Sequence, residues 1–123
     1  MPTIRVLLVD DYADFLDSAS QFLSTVPEIQ VVGYAYSGGE AIQAVDRLHP
    51  DLVLMDVSMP GINGLEATRR IKARPDAPRV VLLTLYGNKG YRSAAQKAGA
   101  DGFMSKDQFG EDLVTLIRDL FWM

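Results

Sequence analysis

Three aspartates, a threonine and a lysine are the residues of this sequence best suited to chemistry at a single point. Asp10 and Asp11 follow the run VLLV, Asp56 follows LVLM, Thr84 follows VVLL, and Lys106 follows GFMS. If those runs lie side by side, their polar followers meet. Three carboxylates crowded together repel one another and resist joint ionisation. A hard divalent cation resolves the conflict, and Mg²⁺ in particular takes oxygen ligands while keeping waters beside one or two carboxylates. A backbone carbonyl from the loop after Asp56 would add a further oxygen. So neutralised, Asp56 becomes a nucleophile toward a phosphoryl group, a known use of aspartate. Such transfer asks mainly for in-line placement and charge neutralisation. Mg²⁺ would take one phosphoryl oxygen and the Lys106 ammonium a second, and the Thr84 hydroxyl would donate to a third.

The elements that must position these residues alternate along the chain. Ile4 to Val9 is a β-branched, almost continuous apolar run, the pattern of a strand buried on both faces. Phe15, Leu16, Ala19, Ser20, Phe22 and Leu23 recur at helical spacing, and Pro27 closes that region. Gln30 to Tyr36 is predicted as a second strand. Ser37 and Glu40 match a capping box that opens a helix bearing Ala41, Ile42, Ala44, Val45 and Leu48, ended by His49-Pro50. Leu52 to Met55 is a third strand, and Leu65 to Ala73 a helix with basic residues outward. Val80 to Leu83 is a fourth strand, Tyr91 to Ala98 a helix, Gly102 to Met104 a fifth strand. Leu113, Leu116, Ile117 and Leu120 mark a last helix. Five βα units predict an α/β fold: a five-stranded parallel sheet, doubly wound with helices on both faces. Ligands of such sheets bind at the carboxyl ends of the strands, where Asp10, Asp11, Asp56, Thr84 and Lys106 fall.

Bulk properties narrow the function. The chain has 123 residues, the length of one ordinary domain. Sixteen acidic against twelve basic residues give a net charge of −4, which argues against unaided nucleic-acid binding. The absence of cysteine excludes disulfides and thiolate chemistry. The N-terminal apolar run is too short for a signal peptide or membrane span. A cytoplasmic location is expected.

The pieces VLLVDD (6–11), DLVLMDVSMPGINGLEATRRI (51–71), VVLLT (80–84) and AGADGFMSK (98–106), each at the expected separation, resemble the receiver domain of bacterial two-component response regulators. The resemblance implies the flavodoxin-like, or CheY-like, strand order 2-1-3-4-5 in a three-layer α/β/α fold, with one receiver over residues 1–123 and no output domain in the chain. It implies Asp56 as phosphoacceptor and Asp10 and Asp11 as the acidic metal pair. The Ser58 carbonyl would be a further ligand of Mg²⁺, Thr84 the switch hydroxyl, Lys106 the phosphate-contacting lysine and Phe103 the switch aromatic. Implied partners are a sensor histidine kinase, and an output domain or partner protein on the face of helix 4, strand 5 and helix 5, with a homodimer on activation. The wording VVGYAYSGGEAI and MPGINGLEATRRI is similar to receivers of the LuxR/NarL type, which usually precede a helix-turn-helix output domain. Three positions depart from the pattern. Phe103 stands where tyrosine is common and cannot donate a hydrogen bond. Leu85 stands where a small residue is common and is expected to crowd the acyl phosphate. Asp107 replaces a frequent proline, so no cis-proline is expected there. Tyr86, two positions past Thr84, is expected to shield the phosphoryl group from water.

Each of these residues also has a plainer reading. Asp10 and Asp11 suit a helix N-cap, Thr84 a strand end, Phe103 the core and Lys106 a solvated surface; only the set promotes them. His49 is read as an exposed connection residue. Arg69, Arg70, Lys72 and Arg74 are read as a solvated helix face helped by Glu66 rather than a phosphate site. Leu120, Phe121 and Trp122 are read first as packing of the last helix. Among rival functions, a haloacid-dehalogenase phosphatase needs an acid where Ser58 stands. A flavin carrier needs a phosphate loop where Asp10-Asp11-Tyr12 places negative charge. An unphosphorylated receiver-like interaction module would not need Asp56, Thr84 and Lys106 together.

Overall fold

The computed structural model describes residues 3–85 and 89–122, without the side chain of Lys89. Strands β1 (Ile4–Val9), β2 (Ile29–Ala35), β3 (Leu52–Asp56), β4 (Arg79–Thr84) and β5 (Gly102–Ser105) alternate with helices α1 (Ala13–Leu23), α2 (Gly38–Leu48), α3 (Gly64–Lys72), α4 (Lys89–Ala98) and α5 (Glu111–Phe121). One 3₁₀ turn, Lys106–Gln108, separates β5 from α5. All strand pairs are parallel and the order is β2-β1-β3-β4-β5, as expected of the doubly wound fold.

Side-chain alternation along the strands builds a core on each face of the sheet. Val6 and Leu8 of β1 join Leu16, Ala19 and Leu23 of α1 and Leu113 and Ile117 of α5. Leu7 and Val9 face the other way, toward Ala41 and Val45 of α2, Ala67 and Ile71 of α3 and Ala95 of α4. The layers are therefore α1 and α5, the sheet, then α2, α3 and α4. Leu120, Phe121 and Trp122 pack, partly buried, against the α1–α5 core, in line with the plainer reading of that apolar end.

Element bounds differ from the sequence reading by one or two residues, and the differences have local causes. The strand β2 starts at Ile29, because Ile29 pairs with Ile4. Its register with β1 shifts between Val6 and Leu7, which pair with Val31 and Gly33, leaving Val32 as the extra residue of a bulge. Helix α3 starts at Gly64 because the Asn63 side chain caps it, accepting from the Glu66 amide at 2.9 Å. Ser37 accepts from the Glu40 amide at 3.1 Å, and the Glu40 carboxylate accepts from the Tyr36 amide at 3.1 Å. The reciprocal bond thus falls one residue ahead of the cap. His49 ends α2 in the left-handed region at φ 49°, exposed, with its carbonyl accepting from the Arg5 guanidinium at 2.7 Å.

Gly64 also sets the geometry near the predicted site. A Cβ there would lie 2.1 Å from the Asp56 carbonyl oxygen, so only glycine lets α3 start so close to the end of β3.

Candidate functional site

The carboxyl ends of β1, β3 and β4 and the turn after β5 surround an open cleft of about 820 Å³. Asp10, Asp11, Asp56, Ser58, Thr84 and Lys106 all line it, so six of the seven predicted site residues meet in one place. Phe103 does not. It lies half-buried on β5, in register with Leu82, packed against the α2–α3–α4 core with the Arg92 guanidinium 5.6 Å from its ring centre.

Each polar residue is held by a local device. Asp10 follows β1 directly, and its amide donates to the Ala35 carbonyl at 3.1 Å, tying it to β2. Its side chain is nearly fully buried. One carboxylate oxygen accepts from the Tyr12 amide at 2.9 Å, and the other accepts from Lys106 Nζ at 2.5 Å. Asp10 thus closes the turn after β1 and lines the cleft with one side chain, while the N-cap of α1 is Tyr12 rather than either aspartate. Asp11 is exposed to solvent. Asp56 is the last residue of β3 and buried. The next residue, Val57, is fixed on both sides, its amide donating to the Leu83 carbonyl and its carbonyl accepting from the Gly64 amide, each at 2.9 Å. Thr84 ends β4 and is buried. Lys106 comes from the 3₁₀ turn, with Nζ 3.3 Å from the nearer Asp56 oxygen.

Electrostatics here are frustrated. Burial pushes the Asp56 carboxyl up from 3.8 to about 6, and the charges of Asp10 and, more weakly, Asp11 push the same way. Lys106 pulls down through its charge and its hydrogen bond without winning. Oxygens of Asp10, Asp11 and Asp56 all lie within 4.8 Å of one another. Three carboxylates and the Lys106 ammonium leave a formal charge of −2, which a divalent cation cancels. Hard oxygen donors, two of them buried and one facing solvent, suit an ion such as Mg²⁺ that keeps part of its water shell. The donor set fits that group.

The basic residues of α3 are otherwise engaged. Glu66 pairs with Arg69 at 2.5 Å and Arg70 at 2.8 Å, and those two hydrogen bonds hold its carboxyl down at about 2. Lys72 pairs with Asp101 at 2.9 Å, and Arg74 pairs with Asp46. Arg69 and Arg70 fit the solvated-face reading; Lys72 and Arg74, the latter just past α3, are instead partly buried in their ion pairs.

Sequence reasoning missed some of the cleft wall. Tyr12, Phe15 and Tyr91 line it beside Leu85, which remains exposed. Phe15 had been read only as part of an apolar helix face. Its place one helical turn past Asp11 was the available signal. Tyr86, expected to shield the phosphoryl group, lies outside the described residues.

A five-stranded doubly wound sheet with an acidic cluster and a lysine at its carboxyl edge defines a class of signalling domain, the receivers of two-component systems. The chain belongs to this family: residues 6–118 match the response regulator receiver domain. It is 40% identical over 119 residues to the response regulator GacA of Pseudomonas aeruginosa, covering 96% of this chain and 55% of that protein. It is 37% identical over 113 residues to the nitrate/nitrite response regulator protein NarL of Escherichia coli K12, covering 92% and 52%. The chain thus spans about half the length of the curated relatives it matches. A solved two-component response regulator of the LuxR family from Aurantimonas sp. SI85-9A1 has a TM-score of 0.90 at 32% identity, over 96% of this chain and 84% of that one. No helix among the described residues is long and apolar enough to cross a membrane.

Proposed function

We propose that Asp56 accepts a phosphoryl group from a sensor histidine kinase or a small acyl phosphate, and that this switches the face formed by α4, β5 and α5. The observation that carries the reading is the placement of Asp56. It is a buried carboxylate at the end of the central strand, 3.3 Å from Lys106, beside two further carboxylates and open to a cleft. A carboxylate oxygen of Asp56 forms the new bond to phosphorus as the P–N bond of the donor phosphohistidine breaks. The electron pair leaves with the imidazole, which takes up a proton. Asp10, Asp11, Asp56 and the Ser58 carbonyl would hold Mg²⁺, which when bound supplies positive charge against the phosphoryl oxygens. Lys106 donates to one phosphoryl oxygen and Thr84 to another, through charge-assisted bonds stronger than those between neutral groups. Thr84 moves toward the phosphoryl group and Phe103 takes up the space it leaves, so two preformed states change population.

The relatives are full response regulators, and the LuxR-type likeness favours a DNA-binding output domain or partner protein as the reader of the switched face, with dimerisation on activation. The domain itself, at net charge −4, is not the nucleic-acid contact. Residues 1–123 act as one receiver, in the cytoplasm.

The test is Mg²⁺-dependent uptake of a single phosphoryl group from acetyl phosphate, followed by intact-protein mass. Wild-type protein gains one group and Asp56→Ala gains none. Uptake that survives in Asp56→Ala overturns the assignment.

A further inference from the structure

The Lys106 ammonium has a third near neighbour besides Asp10 and Asp56. It lies over the face of the Phe15 ring, 4.4 Å from the ring centre. The lysine side chain is only 10% exposed, so this contact is largely shielded from water. A ring face attracts a cation through its quadrupole. It offers no lone pair, so it holds the charge while leaving the three N–H donors for oxygens. The ring is itself braced. Phe109 meets Phe15 edge-on, with centroids 5.5 Å apart at 80°, and Phe22 meets Phe109 at 5.7 Å and 70°. Phe109 comes directly after the 3₁₀ turn that carries Lys106, and its amide donates to the Lys106 carbonyl at 3.1 Å. Lysine, ring and bracing ring therefore close a loop through the same turn.

We propose that Phe15 is a positioning residue for Lys106: its ring face seats the ammonium at the cleft and sets how well Lys106 meets the phosphoryl group on Asp56. The inference rests on the phosphoacceptor reading of Asp56. It makes the first turns of α1 part of the phosphate-sensing machinery, although Phe15 carries no group that contacts phosphate. Leucine at this position keeps the apolar bulk and loses the π-face, whereas tyrosine keeps both.

The experiment measures the initial rate of phosphoryl uptake from acetyl phosphate with Mg²⁺, together with the proton shifts of the Lys106 ε-methylene by NMR. Phe15→Leu slows uptake about 5- to 30-fold, the range of a largely desolvated cation–π contact. Phe15→Tyr restores it. Phe22→Leu, which removes a ring of the same stack away from the ammonium, keeps the wild-type rate. In a Lys106→Ala background, Phe15→Leu slows uptake no further, because the interaction is already gone. The Lys106 protons lie upfield in wild type and Phe15→Tyr and return to ordinary positions in Phe15→Leu. Equal losses in Phe22→Leu and Phe15→Leu, a full loss in the Lys106→Ala background, or unshifted lysine protons in wild type overturn the inference. Wild-type protein that takes up no phosphoryl group overturns instead the reading on which it rests.

Discussion

Replacing Asp56 by asparagine keeps the shape of the side chain and deletes its charge. In the metal-free protein, burial and then the charge of Asp10 hold the Asp56 carboxyl at about 6, against 3.8 when free. The folded state therefore keeps its proton to a higher pH than the unfolded state. The contribution of this group to stability is full below about pH 4, falls as pH rises toward 6, and is lost above that. The displacement from 3.8 to about 6 corresponds to at most about 3 kcal/mol. The cleft is open and Asp11 exposed, so solvent screening reduces this to about 1–2 kcal/mol. Urea unfolding in the presence of a chelator measures it. At pH 8, Asp56→Asn is more stable than wild type by that amount, about 4–8 °C in Tm for a domain of this size. The gap closes as pH falls to 4. Millimolar Mg²⁺ raises wild type more than the variant, because ligand binding to the folded state alone adds stability. Equal stabilities at pH 8, or a gap that ignores pH, refute the claim that Asp56 is electrostatically strained.

Gly64→Ala drives a methyl into the Asp56 carbonyl, costing about 1–3 kcal/mol in denaturant unfolding. It also slows phosphoryl uptake, because α3 must back away from the acceptor; an unchanged rate separates the two effects. Asp101 accepts from Lys72 and from the Val80 amide at 2.8 Å, so Asp101→Ala takes the counter-charge from a part-buried ammonium, which keeps only the Pro78 carbonyl, and leaves the amide unpaired. Thermal melts should show a loss of about 2 kcal/mol. Lys106→Ala leaves Asp56 able to accept a phosphoryl group but uncouples that event from the change at α4, β5 and α5. Amide shifts in β5 and α5 that respond to phosphorylation as in wild type would count against its role.

The strands β1, β3 and β4 were legible because they are buried on both faces: LLV and LVLM are runs that a two-sided sheet requires and an amphipathic helix does not. Asp10, Asp11, Asp56, Thr84 and Lys106 were legible for the same reason, since a charged or polar residue ending such a run must lie at the sheet edge. What was hidden depends on partners distant in sequence. Asn63 did carry a local mark of a cap, Glu66 three positions on, but Gly61 and Gly64 around it read as loop. Asp101 gave no sign of its tie to Lys72, 29 positions earlier. The pairing of Phe15 with Lys106 was hidden by the ambiguity of an aromatic on a helix face, which reads as core by default. The bulge at Val32 had one local mark, Gly33 beside it, but a strand glycine fits a close approach of a neighbouring side chain, here Leu48, equally well.

On the phosphoacceptor reading, the strength of the switch follows from how Lys106 is shared. At rest its ammonium is closer to Asp10, at 2.5 Å, than to Asp56, at 3.3 Å. A phosphoryl group on Asp56 leaves about 1.5–2 negative charges there in place of the single carboxylate charge, on the side where the lysine is held less closely. Hydrogen bonds to charged groups contribute about 1.5–3 kcal/mol each. Two of them, from Lys106 and Thr84, reach about 3–6 kcal/mol. Inverting a two-state population from 1:99 to 99:1 takes about 5.5 kcal/mol of differential affinity. That requirement is met only if both bonds form in one state and neither in the other. Thr84 ends β4 and pairs in register with Ser105 of β5, two residues beyond the Leu82–Phe103 pair. A shift of Thr84 is thereby felt along β5. Asp10 and Phe15 hold Lys106 near Asp56 before any phosphoryl group arrives. Preorganised Lys106 therefore serves the transfer itself as well as its readout.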